Sequence, residues 1–509
     1  MTSRRRPVRA LIPLLLLALL AACSGGAGGN SSSDGTPDPD GTLIWGWHLP
    51  TSWDPVASTA GQDVHALALA YDALVQQEDD GDARPGLAES WSYNEAGDQI
   101  TFTLRPDLTF SDGTPVDAEA VRANIERGQT QSNSTIAAQL AVITGVTVVD
   151  ELNVTFQLDQ PDYQIPLLMS GKTGMLVSPT AAAADVDALA IAPVGSGPFV
   201  LTEYVPDSRA VFERNADYWN AENILLGGVE LKPPPDPTVA VAGLTSGQFD
   251  IAVVPPAQVA AAEAAQLTVE EQRVFTVRTL DVNNTVAPYD NPLVLQALSH
   301  AIDRQALVDV AYFGHGEPNW QPFPEGYLAY DESLDDLYAY DPDTAADLLT
   351  EAGHPDGIDL TLTIGSAADQ ALAEQIQAQV AEAGITITIE VATPGVSNYI
   401  SRQYPLYLDS FSGRESPLQA LEVLFGPEGL MNLGRNSPPE LDAAIDAARQ
   451  VPLDDPAYAE TLQTAVHTAV TTMPNTFLFT WPRLYVHGDN VHDWQHQIGT
   501  VRFEGVWVE

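Results

Sequence analysis

The side chains that could perform chemistry are few, and their spacing matches no common catalytic pattern. The nine histidines include no His-Glu-x-x-His motif, which would place two zinc ligands on one helix face. His487, His492 and His496 are spaced too loosely for a tight metal site, and we expect them to lie on the surface. Ser196 stands between two glycines, but the Gly-x-Ser-x-Gly turn of serine hydrolases is absent. The sequence therefore predicts a protein that is not an enzyme and has no metal or cofactor, with a secreted hydrolase as an open alternative.

Cys23 is the one residue whose surroundings do predict a chemical modification. It is the only cysteine in the chain, and it follows a run of arginines and then the apolar residues 10–22. This order is typical of a secretory signal peptide, because about 13 apolar residues are too few to span a bilayer, which needs about 20. The small residues Ala21 and Ala22 before the cysteine resemble the processing site of bacterial lipoproteins. We therefore predict a signal peptide over residues 1–22, a lipid on Cys23, and a flexible Gly/Ser- and Pro/Asp-rich tether that completes residues 23–40.

The charge balance excludes several classes of partner. The 509 residues include 69 acidic and 21 basic side chains, for a formal net charge of −48. Nucleic-acid binding needs clustered Lys and Arg, and adhesion to anionic lipid needs positive charge, so neither is expected. The lipid is then the only expected membrane anchor. A saline habitat is one open explanation for the acidity. A single cysteine also excludes an internal disulfide.

The rest of the chain alternates between patterns typical of strands and of helices. Residues 99–104 alternate polar and apolar side chains, which predicts a half-buried strand. Residues 117–127 predict a helix that ends at Gly128, and residues 292–310 predict one further helix. A strand, a helix and a strand follow one another over residues 355–391, which favours a βαβ unit. The length and this pattern predict an α/β protein of two or more domains.

Six segments, in this order, resemble one family, the extracytoplasmic solute-binding proteins of the peptide/nickel class, also called family 5. Pro85–Trp91 reads PGLAESW and resembles the "P-x-LAESW" segment of that family, and Gly195–Trp219 resembles its "GTGPY…RNPDYW" segment. The other four segments are Ile100–Arg127, Ser246–Ile251, Asn291–Val308 and Tyr340–Gly353. Together they extend over most of residues 41–509, and the chain is identified as a member of this family.

The resemblance implies a fold and a function. The fold is periplasmic-binding-protein-like (type II, Venus-flytrap), with two α/β lobes, two hinge crossings and an enlarged first lobe. We expect lobe I to comprise residues 41–278 plus 482–509, and lobe II residues 279–481. The implied function is that of a monomeric lipoprotein on the outer face of the cytoplasmic membrane. It captures a small solute, either a peptide or an acidic or hydroxylated small molecule, and delivers it to the permease and ATPase subunits of an ABC importer. A receptor that senses its ligand without importing it stays open.

The same resemblance points to two groups of ligand-binding residues. In the family, the strand that opens the mature fold lines the cleft, which here implies Trp47 and His48. A core position for Trp47 and a surface position for His48 are the alternatives. Peptide-binding members carry a Gly-Trp-Thr-Gly-Asp or Gly-Trp-Cys-Ala-Asp segment in lobe II, whose Asp pairs with the peptide amino group. Phe411 stands at the Trp of that segment, Ser412 and Gly413 follow, and Arg414 stands at the Asp.

This change of charge sign has a consequence for the ligand. An arginine at position 414 would repel an ammonium group and favour a carboxylate, a phosphate or a hydroxyl-rich group. In the alternative, Arg414 turns outward or pairs with Glu415. Arg402 is a second candidate cation by its loop position, and Asn283 is a candidate because it lies near the expected lobe crossing.

Overall fold

The computed structural model describes residues 35–392, 403–413, 415–472, 475–494 and 499–509. Residues 37–509 form one compact unit. The predicted tether extends slightly too far, because residues 37–40 pack onto this unit. The backbone N–H of Asp38 donates to the carbonyl oxygen of Val508 at 3.1 Å, and Arg214 donates to the carbonyl oxygen of Pro39 at 3.0 Å. In the described part of the chain, no helix is long and apolar enough to cross a membrane.

The strands are short and occur in all parts of the described chain. In chain order they are β1 Thr42–Gly46, β2 Val75–Gln77, β3 Ala83–Pro85, β4 Ala88–Tyr93, β5 Gln99–Leu104, β6 Ile143–Val148, β7 Asn153–Leu158, β8 Phe199–Val205, β9 Arg209–Arg214, β10 Gly228–Leu231, β11 Ile251–Val253, β12 Thr268–Gln272, β13 Thr276–Val282, β14 Glu317–Pro318, β15 Ile358–Ile364, β16 Ile385–Val391, β17 Leu406–Ser412, β18 Thr476–Thr480, β19 Arg483–His487, β20 Val491–His492 and β21 Trp507–Val508.

The α-helices lie between these strands. In chain order they are α1 Asp63–Leu67, α2 Ala118–Thr130, α3 Ile165–Leu168, α4 Pro179–Ala184, α5 Ala240–Thr245, α6 Val259–Ala264, α7 Pro292–His300, α8 Arg304–Ala311, α9 Pro342–Glu351, α10 Gln370–Val380, α11 Pro417–Phe425, α12 Pro439–Arg449 and α13 Tyr458–Thr472.

Two large mixed sheets organise the protein. The seven-stranded sheet has the order β12-β19-β11-β1-β10-β9-β8, and the six-stranded sheet has the order β14-β18-β13-β17-β15-β16. In the first, β1 runs parallel to both β10 and β11; in the second, β15 runs parallel to β16 and β17. The parallel β15–α10–β16 unit confirms the βαβ prediction. A separate four-stranded antiparallel sheet, β4-β5-β7-β6, lies in the N-terminal half of the chain and packs against α2.

The chain crosses between the two large sheets at residues 273–275 and again at residues 481–482. The expected second boundary, between 481 and 482, falls within the second crossing. The expected first boundary, between 278 and 279, falls inside β13. Because β13 pairs along its length with β17 of the six-stranded sheet, this strand belongs wholly to the second sheet. The change of sheet therefore comes before residue 276.

Each large sheet has its own apolar core. The core of the seven-stranded sheet contains large buried aromatic side chains, among them Trp45, Trp53, Phe212 and Tyr485. The core of the six-stranded sheet is mostly aliphatic, with β13, β15 and β17 packed against α7 and α10. Two sheets with separate cores, joined by two short crossings, can move relative to each other with few changes of backbone angle.

Candidate functional site

A cavity of about 770 Å³ lies between the two large sheets. The side that carries the seven-stranded sheet contributes His48, Gln77, Lys172, Arg483 and Arg502. The side that carries the six-stranded sheet contributes Phe275, Ser410, Phe411, Ser412, Gly413, Glu415 and Met431. A cavity of this size between two domains is typical of a small-molecule site. In the described part of the chain, no group of three or more His, Cys, Asp or Glu side chains could hold a metal ion.

Trp47 lies behind the cavity wall and is only 6% exposed. Its indole stacks on Trp45, with ring centroids 5.4 Å apart, and meets the edge of His65 at 5.6 Å. Trp47 does not itself line the cavity, so the alternative of a core aromatic describes its position. Its rings instead support two residues that do line the cavity, His48 at a centroid distance of 4.7 Å and Arg483 at 5.0 Å.

His48 lines the cavity as predicted, and a buried carboxylate holds it. Its Nε2 lies 3.4 Å from Oδ1 of Asp63, whose side chain is fully buried at the start of α1. Burial alone would raise the pKa of Asp63, but hydrogen bonds from His48, Thr51 and Ser58 outweigh it and lower the pKa to about 2. Asp63 is therefore ionised, and its carboxylate holds the His48 ring in place at the cavity wall.

Phe411, Ser412 and Gly413 come to the cavity at the end of β17. Phe411 pairs with Val277 and Ser412 with Thr276 across the β13–β17 ladder, so this segment lies next to the first crossing. A side chain at position 413 would overlap with Phe275, because an added Cβ would lie 2.7 Å from Phe275 Cγ. The glycine thus lets the segment approach the crossing closely.

One predicted site residue, Asn283, lies away from the cavity, and two others cannot be compared with the prediction. Arg402 and Arg414 lie outside the described residues. Asn283 is 3% exposed and does not line the cavity. Its side-chain oxygen accepts hydrogen bonds from the backbone N–H and the hydroxyl of Thr285, at 3.2 and 2.6 Å, which is a turn-forming role. His487, which we expect on the surface, is 6% exposed, and its Nε2 lies 3.3 Å from Glu270.

Sequence reasoning missed the acidic side chains of the wall. Asp72 accepts hydrogen bonds from Trp219 Nε1 at 2.7 Å and from Tyr218 Oη at 3.0 Å. Glu504 pairs with Arg502. Glu415, at the start of the loop before α11, places its carboxylate against the backbone of Gly171 on the opposite side of the cavity. Ion pairs and hydrogen bonds therefore occupy Asp72 and Glu504 within the protein.

Arg483 is a further wall residue that sequence reasoning missed. It is the first residue of β19, directly after the crossing at residues 481–482. The available signal was its position beside the expected lobe boundary, in Trp481-Pro482-Arg483. Its stacking on Trp47, however, depends on a sheet that places β11 between β1 and β19, and this order is invisible in the local sequence.

Comparisons with known proteins agree with this architecture. Residues 82–429 match the family described as bacterial extracellular solute-binding proteins, family 5. The chain is 31% identical over 350 residues to the glutathione-binding protein GsiB of Salmonella paratyphi A, a match that covers 68% of each chain. It is 29% identical over 469 residues to the di/tripeptide-binding protein 3 of Pseudomonas aeruginosa, covering 84% of this chain and 87% of that protein.

Solved structures share the fold. The periplasmic binding protein DppA of Helicobacter pylori, in complex with the peptide STSA, superposes with a TM-score of 0.78 at 23% identity, covering 92% of this chain and 98% of that one. HbpA2 of Haemophilus parasuis superposes with a TM-score of 0.81, also at 23% identity, covering 92% of this chain and all of that one. The family match spans more than half of the chain, and the fold has the mixed α/β architecture of periplasmic binding proteins. The chain therefore belongs to the family 5 bacterial extracellular solute-binding proteins.

Proposed function

We propose that this protein captures a small peptide or peptide-like solute in the cavity between its two sheets and delivers it to an ABC importer. The observation that carries the proposal is the cavity itself, which lies beside the two crossings of the chain. A ligand that contacts both sides would be enclosed when the two sides approach each other, and enclosure strengthens each polar contact by excluding water.

The lining fits a ligand with both apolar and polar parts. Phe275, Phe411 and Met431 offer apolar contacts on one side, whereas on the other side His48 offers a polar ring and Arg483 a charge-assisted donor. Two relatives carry names that refer to glutathione and to di- and tripeptides. These names and the lining support a peptide-like ligand. The proposed roles of Arg414 and Arg402 as additional cations agree with a ligand that carries an acidic group.

The location follows from the N-terminal sequence. We place the mature protein on the outer face of the cytoplasmic membrane, attached by a lipid on Cys23, with the tether separating the folded unit from the bilayer. The protein acts as a monomer, and its partners are the permease and ATPase subunits of the importer. A ligand-sensing receptor with the same fold is the second candidate, since capture of a solute is the first step of both functions.

Calorimetric titration with glutathione, the dipeptide Met-Leu and the tetrapeptide STSA tests capture. We expect at least one of them to bind with a micromolar or lower dissociation constant. Mass spectrometry of the same samples should recover the peptide intact, and a cleaved peptide would favour the hydrolase alternative. Absence of binding by all three peptides would overturn the assignment of a peptide-like ligand. Uptake of the bound peptide by cells with and without the gene separates import from sensing.

A further inference from the structure

Arg483 has no carboxylate partner within the described part of the protein. It lines the cavity and its side chain lies against the hydroxyl of Tyr485, yet it forms no ion pair with a described carboxylate, and its Nη1 is buried without an acceptor. Among the residues outside the described ranges, the only acidic one is Asp34, in the predicted tether. An arginine without a carboxylate partner is unusual in a chain with 69 acidic residues, in which most other buried arginines have a carboxylate or several carbonyl partners.

Three acidic groups at or behind this wall of the cavity are already engaged. Asp63 accepts hydrogen bonds from Thr51 and Ser58 and contacts His48, Asp72 accepts from Tyr218 and Trp219, and Glu504 pairs with Arg502. The positive charge of Arg483 is therefore available to a molecule that enters the cavity.

His65, a buried neighbour of Arg483, is neutral. Nδ1 of His65 accepts a hydrogen bond from the backbone N–H of Val501 at 3.1 Å, which leaves the ring proton on Nε2. Burial, together with the charges of Arg483 and His48, holds the pKa of His65 well below its ordinary value, so this ring stays neutral. His65 therefore adds no second positive charge beside the guanidinium and does not neutralise it.

Trp47 fixes the position of Arg483. The guanidinium carbon lies 5.0 Å from the centre of the Trp47 ring, within the range of a cation–π contact. Trp47 is in turn held by Trp45 and His65. A cation that is held in place before the ligand arrives loses little side-chain entropy on binding.

We propose that Arg483 binds a carboxylate of the ligand and so orients the acidic end of that ligand toward the seven-stranded sheet. One guanidinium matches the geometry and charge of one carboxylate, and the net charge of −48 disfavours a doubly charged phosphate. This inference rests on the proposed function, because it specifies the ligand class of the same cavity.

The test compares each peptide acid with an analogue in which every carboxylate is an amide, which means the C-terminal carboxylate of Met-Leu and STSA and both carboxylates of glutathione. The probes are Met-Leu, STSA and glutathione with their amides, titrated calorimetrically into the wild-type protein. We expect the acid to bind about tenfold tighter than the amide, or more, as a charge-assisted contact implies. Arg483→Gln should remove this preference by weakening the acid and leaving the amide within about twofold.

Arg209→Gln is the matched control. The exposed side chain of Arg209, on β9, pairs with the exposed side chain of Glu203, on β8, and Arg209 does not line the cavity. It should retain the wild-type preference. If the wild-type protein binds acid and amide equally, the inference is overturned while the proposed function stands. If it binds none of the acids or amides, both are overturned. The wild-type comparison decides the question even if Arg483→Gln fails to fold.

Discussion

Arg449 and Asp162 form an ion pair of 3.1 Å between parts of the chain that are 287 residues apart. Asp162 precedes α3, on the side of the seven-stranded sheet, and Arg449 ends α12, on the side of the six-stranded sheet. Both side chains are largely buried, at 5% and 12% exposure. The backbone N–H of Tyr163 also donates to the carbonyl oxygen of Arg449 at 3.1 Å. This contact joins the two sides, so it should resist their separation.

We expect Arg449→Gln to weaken the contact between the two sides. Burial raises the pKa of Asp162 although Arg449 opposes that effect, so removal of the arginine leaves a carboxylate that is poorly solvated and unpaired. Breaking one partner of a buried pair costs about 3–5 kcal/mol. Small-angle scattering of the ligand-free variant should give a larger radius of gyration than the wild type, and urea unfolding should show the lower stability.

Asp162→Asn is the informative comparison, because it removes the buried charge and leaves a polar side chain. It should cost less stability than Arg449→Gln. Unchanged scattering and unchanged stability in Arg449→Gln would show that the pair does not hold the two sides together.

Local sequence patterns identify much of the fold. Residues 99–104 form the strand that their alternation predicts, and residues 385–391 form the β-branched strand after Gly384. The errors occur at helix ends, where contacts within the folded protein determine the boundary. Gly128 does not end α2, because the helix continues to Thr130 and the glycine is packed against Leu140. The single helix predicted over residues 292–310 is two helices, because Asp303 accepts the N-cap hydrogen bond of a second one.

The residues of the site also fall into those that the local sequence identifies and those that depend on tertiary structure. Position along the chain, read through the family resemblance, was sufficient to find His48 and the segment Phe411–Gly413. Position alone did not distinguish Trp47, which supports the wall, from Arg483, which lines it. That distinction depends on the order of strands in the seven-stranded sheet, and long-range strand order is not contained in any local pattern.

His65 should make the stability of the protein depend on pH. Its pKa in the folded protein is held far below the ordinary value, first by burial and then by Arg483 and His48, whereas the unfolded chain takes up a proton near pH 6.5. The contribution of neutral His65 is therefore fully present well above pH 6.5 and is lost progressively as the pH falls through and below that value, so the protein should be less stable at pH 5.5 than at pH 7.5.

Urea unfolding of the wild type and of His65→Gln at these two pH values measures the effect. The glutamine keeps an acceptor for the Val501 N–H but does not titrate, so the variant should lose less stability on acidification. His487 has a raised pKa, because its hydrogen bonds to Glu270 and Gly488 outweigh burial, and it acts in the opposite direction. It is present in both proteins, so its contribution cancels in the comparison. Equal losses in the two proteins would contradict the role assigned to His65.

Gly413 should not tolerate a side chain. An added Cβ would overlap with Phe275 in the first crossing, and the neighbouring backbone is hydrogen-bonded in place through Gly413 N–H and the Phe275 carbonyl oxygen. Overpacking of this kind typically costs about 1–3 kcal/mol. We expect Gly413→Ala to lower the unfolding midpoint in urea and to weaken ligand binding.

Gly61→Ala is its control, since a Cβ at that position meets nothing within 4 Å. It should leave the unfolding midpoint close to the wild-type value. If both variants unfold at the wild-type midpoint, the first crossing can shift to accommodate a methyl group. The close approach of Phe275 to Gly413 would then not be required for stability.

Cys23 should carry the lipid that attaches the protein to the membrane. It is the only cysteine in the chain, so a diacylglyceryl thioether has no other possible site. Cells expressing the full chain and Cys23→Ala can be labelled with a radioactive fatty acid and fractionated. We expect label and removal of the N-terminal segment in the wild type, and neither in the variant. The variant keeps the apolar residues 10–22, so the fatty-acid label and the processing, and not membrane association alone, report on the lipid. A variant that is processed and membrane-bound like the wild type would show that another feature of the chain provides the anchor.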